Sequence, residues 1–184
     1  SSSQNKETYE VINPATEEVL GHASKATPAD VDRALKSAEK GLKIWKKITP
    51  WDRSYILRRI ADKLREKKDV LAKWMTLENG KPLTEGIGET NGAADIFEWN
   101  AEETKRIFGQ TIESRFEDTR VHVYYQPVGV VAALSPWNFP LILAARKIST
   151  ALAAGCSVII KPDTITPFSY THLTLPTIFS VYII

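Results

Sequence analysis

Apolar residues in the first half of the chain recur at three- and four-residue spacing, which is the period of one helix face. Thr27, which can cap a helix, and Pro28, which suits the first helical turn, indicate a helix start. The apolar positions that follow are Val31, Ala34, Leu35, Ala38, Leu42 and Trp45. Thr49-Pro50 repeats the start signal, and periodic stretches continue from there to a stop signal at Asn79-Gly80. The pattern predicts a run of amphipathic helices.

Other patterns precede and follow these helices. Glu10–Ile12 is a short strand-like run that comes before them. A further long helix is predicted from Glu85 to Phe108, closed by Gly109. Near residue 111 the helical pattern of apolar residues ends. In the stretch that follows, Val121, Val123 and Tyr125 alternate with His122 and Tyr124, as residues on the two faces of a strand do.

Short apolar runs dominate the part of the chain that follows. Val128–Leu134 and Ser157–Ile160 are bounded by proline and polar residues, as buried parallel strands are, and Leu141–Ala154 between them is helical. Strand, helix and strand together have the length of a βαβ unit. The sequence therefore predicts an α/β protein in which a helical front half leads into an incomplete parallel sheet.

Composition excludes several classes of protein. The chain has 184 residues, of which 43% are hydrophobic and 25% are charged, a balance typical of soluble globular proteins. A formal net charge of +2 is too small to indicate binding to nucleic acid or to a membrane surface. The single cysteine, Cys156, excludes a disulfide scaffold and is expected to be a buried, inert thiol. No metal site is expected, because no histidine has a metal-ligating neighbour at useful spacing.

Polar residues that could carry chemistry follow the two predicted parallel strands. In open α/β sheets, ligands bind at the carboxyl ends of the strands. The first strand is followed by Ser135-Pro136-Trp137-Asn138-Phe139-Pro140 and the second by Lys161-Pro162-Asp163-Thr164. The Asn138 carboxamide could donate to a developing oxyanion, and Lys161 could donate to sugar hydroxyls or phosphate. Residue types alone leave alternatives open: Asn138 as a turn former or cap, Lys161 as a solvated side chain, and Trp137 as a packing residue. No Gly-x-Gly-x-x-Gly fingerprint follows the first strand.

A resemblance adds to this picture. Several motifs, in order and in spacing, resemble those of the aldehyde dehydrogenase superfamily, and in particular its succinate-semialdehyde dehydrogenase group. The likeness covers about residues 9–169. The motifs are Asn13-Pro14-Ala15-Thr16, Leu77-Glu78-Asn79-Gly80-Lys81-Pro82, Phe97-Glu98-Trp99-Asn100-Ala101-Glu102-Glu103, Gln126-Pro127-Val128-Gly129-Val130-Val131, Pro136-Trp137-Asn138-Phe139-Pro140, Ala151-Leu152-Ala153-Ala154-Gly155-Cys156 and Ile160-Lys161-Pro162.

The resemblance implies an oxidoreductase that converts an aldehyde to a carboxylic acid with NAD(P)+. In this family a cysteine thiolate adds to the aldehyde, hydride passes to the nucleotide, and a glutamate activates the water that hydrolyses the thioester. Asn138 matches the residue that stabilises the oxyanion, and Lys161 matches the lysine that binds the adenosine ribose. The expected cofactor contacts are Ser135, Pro136, Trp137, Asn138, Lys161, Pro162, Asp163 and Thr164. Thr164 lies where many NAD-preferring members carry Glu, which favours tolerance of NADP, whereas the neighbouring Asp163 could partly restore the preference for NAD. The choice between NAD and NADP therefore stays open and leans towards both.

Arg146 is the candidate for substrate selection. The Arg146-Lys147 pair resembles the succinate-semialdehyde dehydrogenase group, and a guanidinium can bind a distal carboxylate through two hydrogen bonds. We therefore expect succinate or glutarate semialdehyde as substrate, with Arg146 and Phe139 in contact with it. The alternative is a surface arginine on an amphipathic helix.

The same resemblance divides the chain into four parts. Residues 1–110 are expected to form the N-terminal helical part of the cofactor-binding domain, and residues 111–126 a strand segment that contributes to a homo-oligomer. Residues 127–169 are expected to start the NAD(P)-binding βαβ unit. Residues 170–184 do not match the family and resemble translated sequencing-adaptor sequence, although this apolar stretch could also be a buried strand.

The family's nucleophilic cysteine and general-base glutamate have no counterpart in these residues. The alternative function is therefore an inactive fragment that acts at most as a partial nucleotide-binding or interaction module. A cytoplasmic location is expected, and the mitochondrial matrix stays open because the sequence lacks an initiator methionine.

Overall fold

The computed structural model describes residues 7–171 and 181–183. In these residues the helices are α1 (Pro28–Trp45), α2 (Pro50–Glu66), α3 (Lys68–Asn79), α4 (Leu83–Glu103), α5 (Pro140–Ala153) and α6 (Phe168–Thr171). The strands are β1 (Thr8–Ile12), β2 (Val19–Ser24), β3 (Gln110–Glu113), β4 (Arg120–Val123), β5 (Val130–Leu134), β6 (Ser157–Lys161) and β7 (Val181–Ile183). The predicted α/β class is confirmed, with helices in the front half and a β5–α5–β6 unit behind them.

Local capping explains where the first helices begin and end. At α1 the Thr27 hydroxyl accepts from the Asp30 amide at 3.3 Å, and the Asp30 carboxylate accepts from the Thr27 amide at 2.9 Å, which forms a capping box. Thr49 accepts from the Asp52 amide at 3.2 Å at the start of α2. Gly80, with a φ of 77°, ends α3 in the left-handed conformation that glycine adopts at little cost. These predicted signals are confirmed.

The buried face of α1 is narrower than the sequence pattern predicts. Ala34, Ala38 and Trp45 are buried, whereas Val31 and Leu35 remain 38% and 40% exposed. Two alanines on the inner face allow the helix to approach β6 closely, so the larger apolar side chains beside them are left at the margin. The predicted helix with one apolar face is confirmed, and these two residues lie at the edge of that face.

The end of α4 also differs from the prediction. The helix stops at Glu103 and a short 3-10 turn, Thr104–Arg106, follows, so the predicted helix to Phe108 is too long. The buried Thr104 hydroxyl donates to the Ala153 carbonyl at 2.6 Å and accepts from Arg53 at 3.4 Å. These hydrogen bonds join Thr104 to residues far away in the sequence and fix the backbone where the helix ends. The periodicity of apolar residues along the helix contains no information about them.

The parallel sheet has the order β5–β6–β7 in the described residues. Val130 pairs with Ser157 and Leu134 with Lys161, and β7 adds a third parallel strand beside β6. The sequence predicts only the first two strands. The strand interpretation of the C-terminal stretch is correct for residues 181–183, whereas residues 172–180 and 184 lie outside the described residues. The assignment of residues 170–184 as a foreign tail stays a prediction.

Two antiparallel hairpins complete the fold. β1 pairs with β2, and β3 pairs with β4. The sequence predicts β1 and β4, although β4 ends at Val123 rather than Tyr125, and it does not predict β2 or β3. Both missed strands are short and largely exposed, so they lack a strong apolar alternation.

The main core lies between α2, α4, α5 and the sheet. Leu57, Phe97, Leu141 and Leu152 are completely buried in it. The indole N–H of Trp45, at the end of α1, donates to the Leu152 carbonyl at 2.9 Å. Cys156 is buried as expected. In the part of the chain that the structure describes, no helix is both long and apolar enough to cross a membrane.

A buried carboxylate attaches the segment after β6 to the helices. Glu78, in the last turn of α3, is 1% exposed. It accepts from the amides of Phe168 and Ser169, each at 2.8 Å, and from the Ser169 hydroxyl. These amides open α6 and have no acceptor within that short helix. Burial raises the pKa of Glu78 to about 7, although the three hydrogen bonds act in the opposite direction.

This raised pKa predicts a specific pH dependence of stability. Between pH 4.5, the ordinary pKa, and about 7, the folded state retains a proton that the unfolded state has released. The free energy of unfolding should therefore fall as the pH rises through this window, by up to about 3 kcal/mol, and level off above it. Glu78→Gln cannot titrate and should lack this component. Urea unfolding of both proteins from pH 4.5 to 8 measures the difference, and a difference that is constant with pH would contradict the assignment.

Candidate functional site

The two polar segments predicted from sequence begin side by side. We call Ser135–Pro140 the first tip and Lys161–Thr164 the second tip. Leu134, the last residue of β5, pairs with Lys161, and the Ser135 amide donates to the Lys161 carbonyl at 3.2 Å. Both tips therefore leave the sheet at the same carboxyl edge, where ligands of open α/β sheets bind.

The first tip presents side chains to solvent. Trp137 is 49% exposed and Phe139 47% exposed, and Asn138 between them is also exposed. Among the described residues, the Asn138 carboxamide has no hydrogen-bond partner, so both of its N–H groups are available. A side-chain amide whose N–H groups are not already bound can donate to an oxygen that gains negative charge during a reaction.

The main chain of the first tip, in contrast, is held from the turn between α3 and α4. The Asn79 side-chain amide donates to the Trp137 carbonyl at 2.8 Å. The Lys81 ammonium donates to the Asn138 carbonyl at 3.0 Å and lies 4.0 Å from the centroid of the Phe139 ring. Three consecutive residues of the tip are thus in contact with two side chains of one turn.

Glu89 of α4 completes this arrangement. Its carboxylate pairs with Lys81, and the two side chains are only 1% and 7% exposed. It also accepts from the amides of Leu141 and Ile142, at 2.8 and 3.1 Å. These amides belong to the first turn of α5, where a carboxylate is favoured both as an acceptor and by the helix dipole. Glu89 therefore joins the ion pair to the start of α5.

Sequence reasoning missed the roles of Asn79, Lys81 and Glu89. The Asn79-Gly80-Lys81 segment was interpreted only as a helix stop and as part of a family motif. A signal is present, since Glu89 lies on the buried face of α4 beside Gly86, Thr90 and Ala93. A charged residue on such a face predicts a buried partner.

The second tip places Lys161 at the surface. Its ammonium donates to the neighbouring Pro162 carbonyl at 2.9 Å, and no carboxylate of the described residues lies within 4.0 Å of it. Asp163 accepts from the Ile165 amide at 3.0 Å and so shapes the turn, and Thr164 is exposed. On strand β1, burial and then the charges of Asp163 and Glu78 raise the pKa of Tyr9.

Ser135 differs from the other predicted contacts because its side chain is buried. Its hydroxyl lies near that of Tyr170, which is buried as well. Burial raises the pKa of Tyr170. A contact from Ser135 to a ligand at the surface would have to come from its main chain, whereas Pro136, Trp137 and Lys161 present side-chain surface directly. An exposed ammonium, an exposed indole and a neutral Thr164 together fit a nucleotide with ribose hydroxyls.

Arg146 lies in the second turn of α5, which starts directly after the first tip. It is exposed, and it makes no ion pair with a carboxylate of the described residues. Its guanidinium is therefore available to an external carboxylate. The same exposure is expected of an ordinary surface arginine, so the role of Arg146 stays a prediction.

Comparison with known proteins agrees with the resemblance seen in the motifs. The sequence profile of the aldehyde dehydrogenase family matches residues 1–178. Glutarate-semialdehyde dehydrogenase of Pseudomonas putida is 47% identical over 165 residues, which is 90% of this chain and 34% of that protein. The NADP(+) succinate-semialdehyde dehydrogenase of Escherichia coli is 45% identical over the same shares.

Solved structures agree as well. The crystal structure of succinate-semialdehyde dehydrogenase from Burkholderia pseudomallei superposes with a TM-score of 0.96 and 38% identity, over 100% of this chain and 39% of that one. The chain thus spans about a third of the length of the curated relatives it matches. By its sequence and by its fold, the chain belongs to the aldehyde dehydrogenase family.

Proposed function

We propose that this chain supplies the oxyanion-stabilising amide and part of the nucleotide-binding surface of a dehydrogenase that oxidises succinate or glutarate semialdehyde with NAD(P)+. The observation that carries the proposal is the Asn138 carboxamide, which is exposed and has no hydrogen-bond partner in the described part of the chain, on a tip whose main chain is bound by Asn79 and Lys81. The relatives that share the sequence are named for these two semialdehydes. The activity is that of a whole enzyme, of which this chain spans a part.

Asn138 would act on the aldehyde oxygen. When a thiolate adds to an aldehyde, charge develops on the former carbonyl oxygen, and a fixed N–H donor stabilises that charge more than it stabilises the neutral substrate. Since no group of the described residues competes for the carboxamide, it needs no rearrangement to donate. The resemblance to the family assigns the thiolate and the general base to positions that these residues do not contain.

Lys161 and Thr164 would bind the nucleotide, which accepts hydride when bound. Within residues 7–171 the Lys161 ammonium donates to an adjacent carbonyl and to no carboxylate, so it can turn to the ribose hydroxyls without breaking an ion pair there. Thr164 adds no negative charge that would repel a 2′-phosphate, which supports use of both NAD and NADP. Pro136, Trp137, Pro162 and Asp163 would line the same surface, with Ser135 and Asn138 contributing main-chain groups.

Arg146 would select the acidic aldehydes. Its exposed guanidinium, near the end of α5 that carries the tip, can bind the distal carboxylate of a semialdehyde with two parallel hydrogen bonds. Phe139 would contact the aliphatic part of the same molecule. Neutral aldehydes lack the carboxylate and should gain nothing from Arg146.

We also propose that the enzyme is a homo-oligomer and that the hairpin β3–β4 takes part in subunit contacts. The hairpin pairs with no other described strand, and Ile112, Phe116 and Val121 on it are 45%, 63% and 43% exposed. An isolated two-stranded sheet is marginal in water, so contact with a second subunit would stabilise it. The cytoplasm stays the predicted compartment.

The first test removes the oxyanion donor. In the complete enzyme, Asn138→Ala should lower kcat by about 100- to 1,000-fold and change KM little, because the lost hydrogen bond forms in the transition state. Asn91→Ala is the matched control, since the Asn91 side chain makes no hydrogen bond in the described part of the chain. Steady-state kinetics with succinate semialdehyde and NAD+ measures both. Normal turnover in the Asn138 variant would refute the proposed role.

The second test concerns substrate choice. Arg146→Ala should raise KM for succinate and glutarate semialdehyde by about 10- to 100-fold, the equivalent of one charge-assisted pair, and leave a neutral aldehyde unaffected. Lys147→Ala, a neighbouring exposed cation on the same helix, should change none of the three. An equal effect of Arg146→Ala on acidic and neutral aldehydes would exclude a carboxylate contact.

The third test concerns the nucleotide and needs no turnover. Lys161→Met should weaken binding of NAD+ and of NADP+ by about tenfold each, as expected for loss of one charged donor. Thr164→Glu should weaken NADP+ far more than NAD+, because a carboxylate repels the 2′-phosphate. Titration followed by tryptophan fluorescence gives the dissociation constants. Equal losses for the two nucleotides in the Thr164 variant would remove Thr164 from the ribose site.

A further inference from the structure

The buried pair Lys81–Glu89 raises the question of what it does that an apolar pair could not. Removing two charges from water costs free energy that their attraction often fails to return, so such a pair is weak evidence for stability alone. This pair, however, has further partners. Among the described residues, its further hydrogen-bond and cation–π partners all lie in the first tip or in the first turn of α5.

We propose that Lys81 and Glu89 are positioning residues that fix the main chain around Asn138 and so aim its carboxamide. The inference rests on the proposed function, because it assigns these residues to the oxyanion site. Neither side chain is placed to touch substrate, since both are buried beneath the tip.

Lys81 acts on the residue that carries the chemistry. Its ammonium donates to the main-chain oxygen of Asn138 itself at 3.0 Å. This bond restrains the peptide plane between Asn138 and Phe139, and with it the direction in which the Asn138 side chain leaves the backbone. The same ammonium lies 4.0 Å from the Phe139 ring centroid, within the range of a cation–π contact.

Glu89 restrains the other end of the tip. Its carboxylate accepts from the amides of Leu141 and Ile142, so the start of α5 has a fixed place relative to Lys81. With Asn79 bound to the Trp137 carbonyl, the main chain is held at residues 137, 138, 141 and 142. The Asn138 carboxamide is left unbound among the described residues. A rigid backbone with an unoccupied donor is the arrangement that preorganised oxyanion stabilisation requires.

The hydrogen bonds of Lys81 and Glu89 explain why these two buried positions carry charged rather than apolar side chains. The ammonium must donate to a carbonyl while the carboxylate accepts from two amides, and apolar side chains could do neither. Each charge also neutralises the other, so neither stays unpaired in the interior. The pair therefore supplies hydrogen-bond partners to a carbonyl of the first tip and to two amides of the first turn of α5.

The decisive test is a double-mutant cycle in the complete enzyme. Lys81→Met/Glu89→Gln removes both charges together, so no unpaired charge is buried. We expect kcat to fall by about 10- to 100-fold, as for a small misplacement of a catalytic group, with KM for succinate semialdehyde and the NAD+ dissociation constant changed by less than about threefold. In the Asn138→Ala background the same pair of changes should lower kcat by less than about twofold, because nothing remains to be aimed.

A second readout does not depend on turnover. Hydrogen exchange at the Leu141 and Ile142 amides should accelerate by about tenfold or more in Lys81→Met/Glu89→Gln, because a neutral amide oxygen accepts more weakly than the carboxylate and no longer has the Lys81 charge to fix its position. The control is Asp95→Asn/Glu98→Gln, which removes the surface ion pairs of the same helix with Arg65, at 2.7 and 2.6 Å. It should leave both the exchange rates and kcat unchanged.

The outcomes separate the two proposals. An equal loss of kcat with and without Asn138, or unchanged exchange at Leu141 and Ile142, would overturn the positioning role. A wild-type enzyme that oxidises no semialdehyde would refute the proposed function, while the exchange experiment would still test whether the pair fixes the tip. If the double variant does not fold, Glu89→Gln alone, which keeps an oxygen acceptor, should give a smaller loss of kcat that again disappears in the Asn138→Ala background.

Discussion

Buried main-chain amides without acceptors in their own segment are the constraint on which this structure depends. Both segments that follow the parallel strands, after β5 and after β6, start a helix at a buried place, where water cannot accept from the first amides. Glu89 supplies the acceptor for α5, and Glu78 supplies it for α6. The two carboxylates lie on either side of the α3–α4 turn, so the starts of α5 and α6 are both attached to this part of the helical half.

The hydrogen bonds to these main-chain groups fix the backbone after β5 but do not involve the side-chain donors of Asn138 and Lys161. Main-chain atoms of the first tip are bound by Asn79 and Lys81, and those of the first turn of α5 by Glu89. The Asn138 carboxamide has no hydrogen-bond partner in the described part of the chain, and the Lys161 ammonium donates to the adjacent Pro162 carbonyl. Because the backbone that carries Asn138 is already fixed, a ligand that bound there would cause little further loss of conformational entropy in this segment. Membership of the aldehyde dehydrogenase family fits this arrangement, since its reaction needs a fixed donor beside a bound nucleotide.

Local signals predicted much of the fold because they act within a few residues. Thr27, Thr49 and Gly80 mark helix ends through hydrogen bonds or backbone conformations that are visible in the sequence itself. The end of α4 was predicted too late, because the contact of Thr104 with the Ala153 carbonyl joins distant parts of the chain. Likewise, Val31 and Leu35 fit the apolar period of α1, but the approach of β6 to Ala34 and Ala38 leaves them at the surface.

For the candidate site, the sequence by itself determined which residues follow each parallel strand, and hence that Asn138 and Lys161 lie at one edge of the sheet. It also determined the family, because motif order and spacing are properties of the chain. Only the tertiary structure decided what holds those residues in place. Glu78 and Glu89 lie on α3 and α4, and Lys81 lies in the turn between them. All three contact residues about 50 to 90 positions later, a separation in sequence that no periodicity encodes. The reason is physical: a buried charge takes its partner from whatever the fold brings within hydrogen-bond distance.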